Sequence, residues 1–220
     1  MRSTTVVGAG LAAALVFAGL VACASDPAES APASVWVSST DLSADTDALP
    51  VSIMEASFVV DMGDKPSVVG LVDYVFAAKV ISRDGVIYRD VTTVRTENGV
   101  KQVGEPYTQY TVEVIDNIKG TLKKNQPMPI LKEGGVAMDG ASVYLFEGDQ
   151  LPKADSYFIF LGLAQPDGSI TISGPNTTVT LNATSKHAIV SSDAYKQYAQ
   201  AMRNEIPFKR DRSTSKYEEQ

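Results

Sequence analysis

The chain has one cysteine, one histidine and one tryptophan in 220 residues, and its 19 basic side chains are outnumbered by 26 acidic ones. Each shortage closes off a class of function. The single cysteine, Cys23, has no partner for an internal disulfide, so the fold must rest on a packed core rather than on cross-links. The single histidine, His187, excludes most histidine-based metal sites. It leaves only Ser185 or Ser191 with Asp193 for a triad, and no nucleophile-elbow pattern surrounds either serine. A formal charge of −7 argues against nucleic acid, whose phosphates are met by basic patches. No phosphate-cradling glycine loop occurs; Gly134-Gly135 and Gly168 read as turn glycines. Glu147, Asp149 and Asp155 offer oxygen donors without a calcium-loop spacing and read as a solvated loop, as do Asp61 and Asp64. No cofactor or metal is expected.

The start of the chain carries a specific pattern. Arg2 is the only charge before an apolar run, Val6 to Leu20, which is too short to span a bilayer comfortably. A short positive segment, an apolar segment and a small residue before a cut describe a secretory signal over residues 1–22. Cleavage is expected between Ala22 and Cys23, because Leu20-Val21-Ala22-Cys23 resembles a bacterial lipobox. That resemblance implies a diacylglycerol thioether on Cys23, a further acyl chain (palmitate-type) on its amine, and retention on the outer face of the cell membrane. Each buried methylene contributes about 0.8 kcal/mol, so two or more chains anchor stably. Loss of residues 1–22 removes Arg2 and no acid, moving the charge from −7 to −8.

Residues 23–50 read as a lipidated cysteine and a disordered tether. From Ala24 to Pro50, 22 of 27 residues are Ala, Ser, Thr, Asp, Glu or Pro, too little apolar surface to offset chain entropy. Val35-Trp36-Val37 is the exception, read as a loosely packed apolar patch ahead of two alternatives, a short strand pairing elsewhere or a partner-binding spot. Residues 51–206 form the expected domain, and residues 207–220 a charged, flexible tail.

Within the domain, a helix is expected at Pro66 to Leu71 and strands at Tyr74–Ile81 and Tyr107–Ile115. Further strands are expected at Met128–Lys132, Ser142–Phe146, Tyr157–Leu163, Ser169–Ser173 and Thr177–Leu181. Tyr110, Val112 and Val114 alternate with Gln109, Thr111 and Glu113, as one buried and one solvated face require. Pro129 marks an edge or bulge. Asp84-Gly85 and Asn98-Gly99 read as turns inside a protruding excursion, Ser82 to Glu105, that holds a weaker strand. Ser192-Asp193 caps a C-terminal helix. Short strands with a helix at each end and no βαβ alternation indicate a mainly β fold, a small OB-like barrel of five or six strands.

Asp73 to Val80, Tyr107 to Val114 with Ile118-Lys119-Gly120, Gly134-Gly135, Glu147-Gly148-Asp149 and Tyr157 to Leu163 together carry a resemblance. They resemble the OB-fold domain of bacterial surface lipoproteins distantly similar to tissue inhibitors of metalloproteases and netrin-like modules. In those inhibitors the domain's N-terminal cysteine chelates the protease zinc; here the domain has no cysteine, so that activity is not implied. The expected function is a non-catalytic binding or interaction module of the cell envelope. Its partners are the membrane, through Cys23, and an envelope protein, peptide or glycan held by the excursion and by residues 134–151. Tyr88, Tyr107, Tyr110 and Tyr144 are the candidate ligand-binding residues, a stacking surface on the barrel. The alternative is an envelope hydrolase with an unrecognised acidic site.

Overall fold

The computed structural model describes residues 35–38, 46–97 and 99–219. Cys23, the expected cleavage site and most of the expected tether lie outside them. No helix among the described residues is long and apolar enough to cross a membrane.

Chain order begins with β1 (Val35–Ser38), a 3-10 turn at Thr46–Ala48, β2 (Val51–Met54) and α1 (Lys65–Leu71). Two long strands follow, β3 (Tyr74–Thr96) and β4 (Gly99–Lys119), and then β5 (Pro127–Glu133), β6 (Gly135–Val136) and β7 (Val143–Phe146). β8 (Tyr157–Ala164), β9 (Ile170–Ile172), β10 (Thr178–Leu181), α2 (Lys186–Ser191) and α3 (Asp193–Arg203) complete the order. β3, β4, β5, β9 and β8 pair in that sequence, and β3 pairs back onto β8, closing a ring. Only β5 and β9 run parallel within it. The fold is mainly β and OB-like, as expected.

Two layers of apolar side chains follow from the alternation. Tyr110, Val112 and Val114 of β4 point into the ring beside Phe76, Val80, Ile130, Phe160 and Ile172. The opposite face of β3 and β8 presents Val75, Ala77, Ile159 and Leu161 to Val69 of α1, Ile189 of α2 and Tyr198 of α3. β8 is therefore covered on both sides, which is why its sequence is an unbroken apolar run. α1 starts where the Asp64 carboxylate accepts from the Ser67 amide at 3.1 Å, with Pro66 in the first turn where no amide donor is needed. Ser192 caps α3 by accepting from Tyr195 N. α2 was not foreseen; Ser185 caps it by accepting from Ala188 N at 3.3 Å.

Four expectations are corrected. Residues 35–38 are not a loose patch: β1 pairs antiparallel with β3, Val35 opposite Tyr88 and Ser38 opposite Gly85. Asp84-Gly85 is not a turn but a bulge within β3, where Asp84 accepts from Ser82 Oγ at 2.5 Å and Thr111 Oγ1 at 2.6 Å. β2, β6 and β7 form a separate small sheet outside the ring. The tail is not loose either. Arg210 and Arg212 both grip Asp73, Ser215 N donates to the Tyr74 hydroxyl at 2.7 Å, and Glu219 N donates to Thr121 O at 2.7 Å. Arg210, Arg212 and Glu218 thus meet partners that sequence distance hid.

Candidate functional site

β3 and β4 are longer than the ring needs. Their pairing continues from Val75 opposite Lys119 out to Thr96 opposite Gly99. β1 leaves the other edge of β3 at Tyr88, and β5 leaves the other edge of β4 at Thr108. From Thr92 to Thr96 and from Gly99 to Val103 the two strands have only each other among the described strands. They form an arm whose outer edges pair with no other strand among the described residues. Its sequence, Thr92-Thr93-Val94 against Val100-Lys101-Gln102-Val103, is rich in β-branched residues that fit a pleated ribbon. Val94 and Val100 are 41% and 68% exposed. The register slips between Arg89 and Thr92, next to Asp90, whose φ of 51° is a left-handed value that Asp tolerates better than most residues.

The base of the arm is fixed. Val86 and Tyr88 pack with Val136, Val143 and Leu145 in a satellite core, and the Tyr88 hydroxyl donates to Val136 O at 3.0 Å. Higher up, Lys101 Nζ lies 2.5 Å from Asp139 Oδ2. That ammonium and the Ala141 amide hold the Asp139 carboxyl below its ordinary range. The two segments expected to hold a ligand, Ser82–Glu105 and Gly134–Leu151, are thus joined to one another. Gly134, at φ +106°, makes the turn that brings the second segment back.

The four candidate tyrosines do not share an open face. Tyr110 is fully buried inside the ring, and Tyr88 is 3% exposed in the satellite core. Tyr107 faces outward on β4, half-buried, with the Arg89 guanidinium 4.5 Å above its ring centre. Burial, with Glu133 and Glu105 nearby, pushes its hydroxyl up to about 12. Tyr144 is half-buried in a notch beside Lys101 and Asp139. Tyr107 and Tyr110 are three apart on one strand, so the pleat sends them to opposite faces.

A polar group inside the ring was missed. Lys132 Nζ pairs with Asp149 Oδ2, both side chains 1% exposed. Burial lowers the Lys132 ammonium's pKa, and Asp149 opposes that shift. Among the described residues the Tyr110 hydroxyl has no hydrogen-bond partner, and burial raises its pKa. The signal was available for Lys132, since Met128, Ile130 and Lys132 share one face of β5. Nothing in the sequence marked Asp149 as its partner.

The remaining chemical candidates disperse. Asp149 turns inward, whereas Asp155 pairs with Lys79 at 2.6 Å and Glu147 is exposed. Ser185 is engaged as the α2 cap, and His187 sits exposed on that helix. No family model matches the chain, and no curated protein matches it.

Proposed function

We propose that the protein is a non-catalytic binding module of the bacterial cell envelope, anchored by lipid at Cys23 on the outer face of the membrane. The observation that carries the binding role is the β3–β4 arm, two strands that pair with no third strand among the described residues and that expose Val94 and Val100. An open edge is a template for another extended segment, and main-chain pairing supplies its affinity. The chain itself uses that mode: β1, a four-residue piece of the tether, adds to the edge of β3 immediately below the arm. The partner is therefore an extended segment of an envelope protein or peptide, laid along the arm as an added strand. The resemblance of the sequence motifs to metalloprotease-inhibitor and netrin-like modules agrees with a binding role but does not select a ligand.

The test is a photo-crosslinking residue at Val100 in the lipidated protein in its native envelope, compared with the same residue at exposed Lys124 in the loop between β4 and β5. A discrete adduct at 100 that disappears when Thr92→Lys and Val94→Lys place edge-blocking charges on the arm supports the arm as the binding element. Equal adducts at both positions, or an adduct that survives the two lysines, overturns it.

A further inference from the structure

The helical side of the protein carries a groove that the arm does not explain. It has a volume of about 660 Å³, within the range of small-ligand sites, and lies between the start of α1 and the outer face of α3. Lys196, Gln200 and Arg203 follow one another at helical spacing, so they stand on one stripe of α3, with Gln197 and Asn204 beside them. Lys65 comes from α1 on the other wall. Pro66 and Ala199 supply an apolar floor.

The electrostatics are distinctive for a chain of charge −7. Three cations line the groove, no acid does, and none of the three forms an ion pair among the described residues. The acids nearest in sequence are occupied or displaced. Asp64 is held by Ser67, and Glu205 is paired with Lys119 at 2.9 Å. Asp193 stands one turn before Lys196, outside the groove lining. Lys65 is oriented by the Tyr198 ring, its ammonium 5.9 Å from the ring centre.

Geometry then selects the ligand. Seven residues of α-helix separate Lys196 from Arg203, a rise of about 10 Å. A single phosphate would have to draw both long side chains together, whereas negative charges repeated along a chain meet each cation where it stands. Between them Gln197 and Gln200 offer amide donors and acceptors, which suit hydroxyl groups rather than further charge. A groove also fits a strand of polymer better than it fits a flat bilayer surface. We infer that the α1–α3 groove binds a linear, hydroxyl-bearing phosphodiester polymer, with Lys65, Lys196 and Arg203 on successive phosphates.

The probe is a fluorescent glycerol-phosphate oligomer titrated into the full-length protein in non-ionic detergent, read by anisotropy. Saturable binding should weaken about tenfold in the Lys196→Gln/Arg203→Gln double variant and fall steeply with salt. Lys123→Gln/Lys124→Gln, the same charge change elsewhere, should leave it unchanged. Both α3 positions are exposed, and an unaltered thermal melt checks that the fold is intact. The inference is overturned by absence of binding, by equal weakening in both double variants, by equal displacement with polyglutamate, or by stronger displacement with anionic phosphatidylglycerol vesicles. None of these outcomes depends on the arm, so the two sites can fail separately.

Discussion

Lys132 and Asp149 form an ion pair in the interior of the strand ring, each side chain 1% exposed, although one lies on β5 and the other in the loop after β7. Burying two charges is costly, and their attraction offsets that cost only while both are present. Asp149→Ala leaves an ammonium buried without its counter-charge, and urea denaturation should show a loss of about 3–5 kcal/mol. Lys132→Met with Asp149→Leu should recover to within about 1.5 kcal/mol of the wild type. A single variant as stable as the wild type would show that the pair is not closed to solvent.

Glu133, the neighbour of Lys132, faces the other way and accepts from the Ser173 hydroxyl. Burial is the main cause raising its carboxyl above 4.5, and Glu105 adds to it. The unfolded chain therefore loses this proton first. Stability falls as pH rises from 4.5 to the raised folded value, and levels off beyond it. Glu133→Gln should flatten that decline in a pH series of thermal melts; an unchanged profile would assign the decline to other groups.

The tail is held at Asp73, 8% exposed, which receives Arg210 and Arg212 and also accepts from Ala164 N at 2.9 Å. Asp73→Ala should destabilise the domain by about 1.5–3 kcal/mol. Hydrogen exchange should speed up over residues 208–219 as well as at β8. Exchange that is already fast across the tail in the wild type would contradict its docking.

Anchoring is tested at Cys23. Cys23→Ser should leave the signal uncleaved or release the protein from membranes, and the wild-type protein should carry the mass of its acyl chains. Unchanged membrane retention together with no acyl mass would rule the anchor out.

Much of the fold was legible because each strand of the ring carries its own alternation. Tyr110, Val112 and Val114 announce an inward face, and Ser192 and Pro66 announce helix starts, through interactions within a few residues. Pro129 was read correctly for a similarly local reason. It lies on the stretch of β5 that pairs with β4 but has not yet met β9, a local edge of the kind where proline is tolerated. The binding residues were less legible. Aromatic strand residues look alike in sequence whether the pleat turns them inward, as with Tyr110, or outward beneath an arginine, as with Tyr107.

The sequence alone determined a β-rich domain without disulfides, the positions of most strands, and an acidic chain with a lipobox-like start, because these depend on composition and short-range pattern. Tertiary structure alone decided that β1 leaves the tether to join β3 and that the tail returns to Asp73. It also decided that Lys132 meets Asp149, and that Lys65 faces Lys196 and Arg203 across a groove. Each is a contact between residues distant along the chain, set by how the ring closes and where the helices pack, and no local pattern encodes it.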